Sequence, residues 1–527
     1  MSGAAITSYD EIPYPRYSFP QTHPERLAVV AMLLGLTPPP LERCRVLELG
    51  CAGGGNLIPM AEDLPQAHFL GIDLSQRQIA EGQRWIAEFG LTNIELRHQS
   101  ILDFDDAEKF DYIICHGVYS WVSPEVQDRI LALCRKHLHP KGIAFVSWNS
   151  LPGWHMRGMI RDMMIYHGRR FTDPRQQVGQ ARALLDFLVS SVKMDQNPYG
   201  QFLRSELEQL RQQPDAYLAH EHLEEHNAPI YLHQFVERAA THNLRYLADT
   251  NLWTMEFGQF PTEVGQVLNR LTTDLIQLQQ YIDFLKNRTF SQTLLIHIPQ
   301  QPNYNAVPAL VKNFLIAAPL RPDSASPNLQ SSDFERFQTP SGASASSRYP
   351  IVKSALMVLA EQWPQALPFD EVRVRARAKL SDRPAHDPAT IGEDEFRLGE
   401  AFLKFFTSVG GLMEFRLLPL RLTAQSGPQP LARPLARWQA NSGLQVTNLR
   451  HELVTLNEFG RQLLLRLDGK HSLPALVQQM MEMVRNGTFT FQQNGETVTD
   501  WHQAEPLLVQ AVQQHIDLFA RQSLFLA

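Results

Sequence analysis

From residue 45 onward, short apolar segments alternate with longer segments that have a helical pattern of polar and apolar positions. The apolar segments predict five strands, at Val46–Leu49, His68–Asp73, Asn93–His98, Phe110–Cys115 and Ile143–Trp148. The intervening segments predict helices, such as the one over 125–137, which Pro140-Lys141-Gly142 ends. Short apolar strands that alternate with helices are typical of a parallel sheet covered on both faces.

Two further strand-like segments follow a long helical stretch. Residues 157–243 show no strand signal, whereas Leu244–Glu256 and Thr289–Ile298 are apolar and β-prone. We expect these two segments to complete the N-terminal sheet, with the helical stretch inserted after the fifth strand. Beyond them, residues 319–350 are rich in Ser, Pro and Ala and predict a linker. Two small α+β units are expected after it.

Composition narrows the class of protein. The chain has 527 residues, of which 44% are hydrophobic and 20% charged, as in soluble proteins of two to four domains. A net charge of -7 disfavours broad attraction to nucleic acid. Four scattered cysteines indicate neither a disulfide framework nor a Cys-rich zinc site. The sequence has no signal-peptide pattern and no apolar run of bilayer length. We therefore expect a cytoplasmic protein without membrane insertion.

One glycine-rich segment carries recognisable chemistry. Residues 48–55 read Glu-Leu-Gly-Cys-Ala-Gly-Gly-Gly and lie where the first predicted strand turns into a helix. Glycines let the backbone bend sharply and let a ligand lie directly on it. Asp73 ends the second strand, where a carboxylate can accept hydrogen bonds from both hydroxyls of a ribose. Together these features predict a cofactor that contains adenosine, at the switch point of an open sheet.

The acidic residue in that segment limits which class of cofactor can bind. Glu48 stands two residues before the first glycine, where it would repel the pyrophosphate of a dinucleotide. It suits a ligand that has an ammonium group. S-adenosylmethionine has an ammonium, a carboxylate and a ribose, and methyl transfer from it requires no metal.

At this point the sequence resembles a known family. VLELGCAGGGN and GIDLS resemble the first two motifs of class I S-adenosylmethionine-dependent methyltransferases. The longer segments YDEIPYPRYSFPQTHPERL, FDYIICHGVYSWVSPEV and VSWNSLPGWHMR resemble a bacterial group of methyltransferases that carry a methyltransferase regulatory domain. The best-understood members of this group are protein-lysine methyltransferases that act on outer-membrane proteins. VTNLRHELVTLNEFGRQLL resembles the C-terminal winged-helix domain of the group. The chain departs from the pattern at Ala52, where many class I enzymes have Gly, and at Trp148, where we expect a smaller aromatic residue.

The resemblance implies a fold and a domain organisation. The fold is α/β, a Rossmann-like class I methyltransferase sheet with a helical insertion, followed by two small α+β domains of winged-helix type. The implied domains are a methyltransferase core with an N-terminal arm (1–156), the helical insertion (157–243), the strands that complete the sheet (244–300, with a regulatory domain over about 215–300), a linker (301–350), a winged-helix-like middle domain (351–425) and a C-terminal winged-helix domain (426–527).

The resemblance also implies roles for individual residues. Those expected to bind S-adenosylmethionine are Glu48, Gly50, Cys51, Ala52, Gly54, Asp73, Leu74, Ser100, Ile101, His116 and Gly117. Those expected to face the methyl acceptor are His116, Tyr119, Trp121, Asn149 and Trp154. No metal ligand is implied. The aromatic residues Tyr119, Trp121 and Trp154 have an equally simple interpretation as packing residues of the core or of a lid.

Two other motifs have a structural interpretation that we favour. His222 to His226 reads H-x-x-E-H, an inverted zincin pattern, but Asn227 and Pro229 end the helix at once and no third ligand stands out. The basic residues of the 373–379 segment predict a solvated helix face more readily than a nucleic-acid patch.

Three functions follow from the sequence. The first is a methyltransferase that modifies lysine side chains of a protein substrate. The second is an RNA or small-molecule methyltransferase, and the third is a non-catalytic scaffold that binds S-adenosylmethionine. The acidic net charge argues against a nucleic-acid partner, and the sequence leaves a homodimer open.

Overall fold

A computed structural model describes residues 16–527, except 193–196, 257, 259, 381–383, 385–387, 409, 490–491, 494–495 and 498–500. The predicted N-terminal arm up to residue 15 therefore lies outside the described residues. None of the helices in the described part of the chain is both long and apolar enough to cross a membrane.

The chain forms two compact units. The first contains residues 38–250 and 255–301 with the start of the chain, and the second contains residues 17–37, 251–254 and 302–527. The first helix, α1 (Pro24–Leu33), therefore belongs to the second unit, although it precedes the sheet in the chain. Side-chain contacts explain this grouping, because the Glu25 carboxylate pairs with Arg416 and accepts hydrogen bonds from the N–H groups of Leu417 and Leu418.

The first unit is built on a seven-stranded sheet. Its strands are β1 (Arg45–Leu49), β2 (His68–Asp73), β3 (Ile94–His98), β4 (Phe110–Cys115), β5 (Leu138–Asn149), β6 (Leu244–Asp249) and β7 (Phe290–His297). Their order across the sheet is β3-β2-β1-β4-β5-β7-β6. The first five strands are parallel, and β7 runs antiparallel to both β5 and β6. This topology confirms the predicted Rossmann-like sheet, with β6 and β7 as the strands that complete it.

Helices cover the sheet and form the insertion. The helices of the first unit are α2 (Leu57–Asp63), α3 (Gln76–Glu88), α4 (Pro124–His137), α5 (Gly153–Gly168), α6 (Pro174–Ser191), α7 (Pro198–Arg211), α8 (Asp215–His222), α9 (Leu232–Thr241), α10 (Thr262–Leu271) and α11 (Leu275–Lys286). Helices α4 and α9 bury residues such as Leu131 and Phe235 in one core with the strands. Helices α5 to α8 form a separate core of their own around Met164, Leu185 and Leu207, which accounts for the absence of strand signals there.

The second unit contains small sheets and helices. Its strands are β8 (Leu315–Ala317), β9 (Arg321–Pro322), β10 (Glu335–Gln338), β11 (Ser344–Ser347), β12 (Leu367–Pro368), β13 (Glu414–Arg416), β14 (Gln445–Thr447), β15 (Leu453–Thr455), β16 (Gln492–Gln493) and β17 (Glu496–Thr497). Its later helices are α12 (Pro350–Gln362), α13 (Phe369–Leu380), α14 (Pro388–Phe406), α15 (Pro434–Ser442), α16 (Glu458–Arg466), α17 (Leu473–Arg485) and α18 (Trp501–Arg521). Helices α15 to α18 share one apolar core with the β14–β15 hairpin. The arrangement is the α+β organisation expected of a winged-helix domain.

Candidate functional site

The glycine-rich turn after β1 has a backbone that favours glycine at two positions. Gly50 and Gly54 have positive φ angles of +76° and +75°, a conformation that residues with a side chain rarely adopt. A Cβ on Gly50 would lie 2.4 Å from Cγ2 of Val118, so a larger residue would also clash. Ala52 lies between them with φ +49°, and its N–H donates a 2.8 Å hydrogen bond to Asp73. The departure from Gly at Ala52 is thus accommodated at the cost of a strained backbone.

Glu48 is a buried acid at the base of this turn. Its side chain is 3% exposed, and one carboxylate oxygen accepts a 2.8 Å hydrogen bond from Nδ2 of Asn56. The other oxygen, Oε2, is buried without a hydrogen-bond partner among the described residues. Burial raises the pKa of Glu48 to about 8; the hydrogen bond from Asn56 opposes this shift and the nearby Asp73 adds to it. An orphaned buried carboxyl is the group that a ligand ammonium would satisfy.

Asp73, at the end of β2, faces the same turn. One carboxylate oxygen accepts a hydrogen bond from Ala52 N–H and the other accepts one from Ser75 N–H, each at 2.8 Å. An ionised carboxylate can accept about four hydrogen bonds, so ribose hydroxyls can add to these backbone donors. The next residue, Leu74, is 57% exposed despite its apolar side chain. An exposed apolar surface beside the ribose acid fits an adenine ring, and the residues present therefore fit S-adenosylmethionine.

The other residues expected at the cofactor follow β1 and β3. Cys51 is buried in the turn, and burial raises the pKa of its thiol. Ser100 accepts a 3.2 Å hydrogen bond from Leu102 N–H through its hydroxyl. Ile101 packs against the core of the sheet. Since β3 is the neighbour of β2, the structure places Ser100 and Ile101 at the same edge of the sheet as Asp73.

His116 and Gly117 follow β4, on the other side of the switch point. The His116 ring stacks on Phe145 with centroids 5.8 Å apart and meets the edge of Phe290 at 6.1 Å. This burial lowers the pKa of His116 to about 4, so the imidazole is neutral at physiological pH. Gly117 donates its N–H to Ser147 Oγ at 2.8 Å, which fixes the backbone beside the turn.

The expected acceptor residues separate into two groups. Trp121 and Trp154 meet edge to face, with centroids 5.9 Å apart, after the carboxyl ends of β4 and β5. Tyr119, in contrast, is 1% exposed and packs edge to face on Phe235 within the core of the sheet. The structure therefore places the ring of Tyr119 in the core of the sheet. The cause is local, since a short 3-10 helix over Tyr119–Trp121 directs the first residue inward and leaves the last half-exposed.

Two further residues near the ends of the strands make buried contacts. Trp148 stacks on Phe235 at 5.0 Å and donates its indole N–H to Thr293 Oγ1 at 3.1 Å. The large aromatic residue at 148 thus fills the core rather than shaping a pocket. Asn149 is 2% exposed and donates its Nδ2 to Oδ1 of Asn227 at 3.1 Å, so its amide connects the end of β5 to the loop before α9.

A groove lies beside the tryptophan pair. It has a volume of about 600 Å³ and is lined by residues that include Leu151, Trp154, His155, Met159, Asp162 and Met163. Trp154 therefore forms a side of the groove and also contacts Trp121. Most of the groove's lining comes from α5, the helix that follows β5.

Sequence reasoning missed three residues of the site. Asn56 orients Glu48, and its signal in the sequence is an amide directly before a helix that begins with apolar residues. Val118 covers Gly50. Arg16 packs on the turn, because a Cβ on Gly55 would come within 2.8 Å of its Cα, and its guanidinium lies over Trp85 at 4.3 Å and pairs with Glu81.

The remaining sequence motifs have structural surroundings. His222 is buried, and burial lowers its pKa to about 4. Across the described residues, no group of three potential ligands is arranged to hold a metal ion. In the basic segment of α13, Arg373 and Arg377 are buried and pair with Asp370 and Asp394. The expected solvated face is thus wrong for these two arginines, because their acidic partners lie within the same unit.

Comparisons with known proteins match three parts of the chain to family models. Family models match as a methyltransferase domain over residues 46–142, a predicted methyltransferase regulatory domain over 214–297 and a PKMT C-terminal winged helix domain over 429–524. The uncharacterized protein RP789 of Rickettsia prowazekii is 37% identical over 503 residues, which cover 93% of this chain and 88% of that protein.

Solved structures extend the match to the whole chain. The structure of PKMT2 from Rickettsia typhi superposes with a TM-score of 0.88 at 33% identity, covering 98% of this chain and 100% of that one. The structure of the same protein in complex with AdoHcy matches over the same shares with a TM-score of 0.86. The chain therefore belongs to the family of PKMT2, and it is an S-adenosylmethionine-dependent methyltransferase with a regulatory domain and a C-terminal winged-helix domain.

Proposed function

We propose that the protein transfers methyl groups from S-adenosylmethionine to lysine side chains of a protein substrate, in the cytoplasm. The observation that carries this proposal is the similarity to PKMT2 over the full length of both chains. It is supported by an aromatic pair, Trp121 and Trp154, that follows the carboxyl ends of β4 and β5. Bound S-adenosylmethionine would supply an electrophilic methyl group on its sulfonium.

We assign the cofactor-binding residues from the geometry of the turn. Glu48 would bind the ammonium group through its buried Oε2, with Asn56 fixing the orientation of the carboxyl. Gly50 and Gly54 would let the backbone approach the methionine portion. Asp73 would accept the ribose hydroxyls, while Leu74, Ser100 and Ile101 would flank the adenine. Cys51, Ala52, His116 and Gly117 would complete the walls of the cleft.

The acceptor must lose a proton before it can attack. The ordinary pKa of a lysine side chain is about 10.4, and removal from water lowers it. Trp121 and Trp154 would provide that apolar surrounding, and their faces would attract the cationic form as it enters. His116 is neutral because its pKa is lowered to about 4, so its ring would not repel an incoming ammonium group. Asn149 would support this side of the site through its bond to Asn227.

Mass spectrometry can test the proposal. The purified protein is incubated with S-adenosylmethionine in three separate reactions. The first contains a lysine-containing polypeptide, the second the same polypeptide with its lysines replaced by arginine, and the third total RNA. We expect a mass increase of about 14 Da per methyl group on lysine, absent in the arginine polypeptide and in Asp73→Ala. Methylation of RNA with no product on lysine would overturn the proposal in favour of the RNA alternative.

A further inference from the structure

The turn between β5 and α5 is held by a distant part of the chain. The N–H of Ser150 donates to the carbonyl oxygen of Thr289, and that of Gly153 donates to the carbonyl oxygen of Arg288, each at 2.9 Å. Trp154 follows directly as the second residue of α5. Both acceptor carbonyls belong to the stretch that matches the predicted regulatory domain. The segment that leads into Trp154 is therefore anchored on the regulatory domain.

The two segments approach too closely for a side chain at position 153. A Cβ on Gly153 would lie 2.5 Å from the carbonyl oxygen of Arg288 and 2.6 Å from that of Asn287. The φ angle of Gly153 is not positive, so the close contact, rather than the backbone conformation, requires glycine here. Any displacement of residues 287–289 would therefore be passed directly to the start of α5.

A buried ion cluster fixes residues 287–289 to the rest of the regulatory domain. Arg288 lies two residues after α11, and its guanidinium pairs through Nε with Asp283 at 2.5 Å and through Nη1 with Asp249 at 3.2 Å. All three side chains are at most 10% exposed. Asp249 ends β6, and its carboxylate also accepts a 3.0 Å hydrogen bond from the N–H of Gln292 on β7. We call Arg288, Asp249 and Asp283 the arginine cluster.

The arginine cluster is better suited to fixing a geometry than to adding stability. The desolvation of buried charges offsets most of the attraction between them, so a buried ion pair adds little net stability compared with apolar packing. A guanidinium, however, carries its donors in a rigid planar fork, and it pairs only with acids that lie in defined directions. Arg288 thus holds the end of α11 and the end of β6 in a defined arrangement, while its own carbonyl group holds Gly153.

The ring of Trp154 has little freedom of its own. It is 3% exposed and meets Trp121 edge to face, with centroids 5.9 Å apart. A ring packed in this way cannot adopt another rotamer without displacing its neighbours, so its position follows the backbone of the turn. A change in residues 287–289 should consequently move the ring of Trp154 relative to that of Trp121.

We propose that Arg288 is a positioning residue, through which the regulatory domain sets the orientation of Trp154 and thereby the rate of methyl transfer. In this role Arg288 acts through Gly153 and the turn rather than on the reacting atoms. The inference explains how a regulatory domain can act on the site. It rests on the proposed function, since that function assigns Trp154 to the acceptor side.

Fluorine NMR reports the surroundings of Trp154 without any substrate. The full-length protein is labelled with fluorotryptophan, and the resonance that Trp154→Phe removes is assigned to Trp154. Arg288→Gln should shift or broaden this resonance. Arg245→Gln is the matched control and should leave it unchanged, because Arg245 lies at the other end of β6, where it binds Gln300 and Gln301. An unchanged Trp154 resonance in Arg288→Gln would overturn the proposal.

Steady-state kinetics with the lysine-containing polypeptide test the effect on the reaction. Arg288→Gln should lower kcat about 10- to 100-fold, because a small misplacement of the site slows transfer strongly. Its affinity for S-adenosylhomocysteine should stay within about twofold of wild type, since the glycine-rich turn is held by contacts from β1 and β2. A variant that merely loses stability would not separate these two readouts. Arg288→Lys should have an intermediate kcat, because an ammonium group can pair with an acid but lacks the fork.

A second variant disturbs the same turn without altering the arginine cluster. Gly153→Ala should also shift the Trp154 resonance and lower kcat, because the new Cβ would meet the carbonyl oxygen of Arg288 at 2.5 Å. Together with Arg288→Lys, it decides the matter if Arg288→Gln does not fold. A kcat equal to that of wild type in these variants would overturn the proposal, even if the resonance moves.

The two readouts separate this inference from the proposed function. If the wild-type protein methylates RNA and not lysine, the proposed function fails, and the rate on RNA together with the fluorine signal still decides the role of Arg288. If the wild-type protein methylates lysine, but neither the Trp154 resonance nor kcat changes in the variants, the proposed function stands and Arg288 is not a positioning residue.

Discussion

Replacing Glu48 with glutamine tests whether a buried carboxyl binds the ammonium group of the cofactor. Burial raises the pKa of Glu48 to about 8, so about nine tenths of these carboxyls are protonated at pH 7 in the cofactor-free protein. A bound ammonium favours the ionised form and lowers the pKa. Binding should therefore release a proton from the wild-type protein, whereas Glu48→Gln has no proton to release at this position.

The expected number of protons released on ligand binding follows from the pKa of Glu48. Because pH 7 lies about one unit below the pKa of Glu48, ionising this carboxyl costs about 1.4 kcal/mol. A hydrogen bond between charged groups contributes about 1.5–3 kcal/mol, which offsets that cost. The ligand amine has a pKa of about 7.7–8.0 and is mostly protonated at pH 7. The net release is then about 0.8 proton per ligand, and affinity should rise up to about tenfold between pH 6 and pH 7.

Calorimetry measures this release. Titration with S-adenosylhomocysteine at pH 7 in phosphate and in Tris, whose ionisation enthalpies differ, gives the number of protons from the difference in apparent enthalpy. Glu48→Gln should show no release from this site and an affinity about 10- to 100-fold lower. Glu88→Gln, an equal change at an exposed position at the end of α3, serves as the control. A wild-type protein that releases no proton would refute the reasoning, as would a Glu48→Gln variant that releases as many as wild type.

The pH dependence of unfolding without ligand supplies a second test of the raised pKa of Glu48. Because the pKa of Glu48 is raised from 4.5 to about 8, the folded protein binds more protons than the unfolded chain between these values. The stability that Glu48 contributes is thus present below pH 4.5 and falls as pH rises to about 8, by at most about 4–5 kcal/mol. Relative to wild type, Glu48→Gln should become more stable as pH rises over this range, and parallel curves from urea unfolding would contradict the raised pKa.

Three other changes test the placement of the site. Gly50→Ala should abolish ligand binding and lower the free energy of unfolding in urea by about 2–3 kcal/mol, because φ is +76° at this position and the new Cβ would lie 2.4 Å from Val118. Gly90→Ala is the control. At this position φ is +61° and the space around the Cβ is open, so the change should cost only about 1–2 kcal/mol and leave ligand binding unchanged. Asp73→Ala should lower ligand affinity at least about 100-fold by calorimetry, and an unchanged affinity would remove its ribose role. Tyr119→Phe should keep methyl transfer, because Tyr119 packs in the core; loss of transfer in a folded variant would return its hydroxyl to the reaction.

The sequence predicts the sheet well because each strand is a short buried apolar run. The first and last residues of β2 and β4, for instance, are those of the predicted segments His68–Asp73 and Phe110–Cys115. The fifth strand is longer than predicted, since β5 begins at Leu138 and includes Pro140-Lys141, where the sequence placed the end of the preceding helix. Its extra length follows from pairing with β4, where the register shifts between Phe110 and Tyr112. An irregularity that depends on a neighbouring strand leaves no local pattern.

Contacts between residues that lie far apart in the chain could not be predicted from the sequence. Glu25 pairs with Arg416, which lies 391 residues later in the chain, and no composition or periodicity marks the two as partners. The glycine-rich turn is a contrasting case. Glu48, Gly50 and Asp73 could be grouped from the sequence because their spacing reflects a local strand–turn–helix geometry, whereas Asn56 and Val118 join them only through three-dimensional contacts.

The segment after β4 shows why adjacent aromatic residues could not be assigned from the sequence alone. Val118 covers Gly50 in the cofactor turn, Tyr119 enters the core against Phe235, and Trp121 contacts Trp154 beside the groove. Val118, Tyr119 and Trp121 thus face three different surroundings within four positions of the chain. One rigid segment consequently contacts both the cofactor turn and the side of the groove. A methyl donor at the turn and an acceptor beside the tryptophan pair would therefore meet across these few residues, which makes their backbone geometry, rather than any single side chain, the element that brings the two sites together.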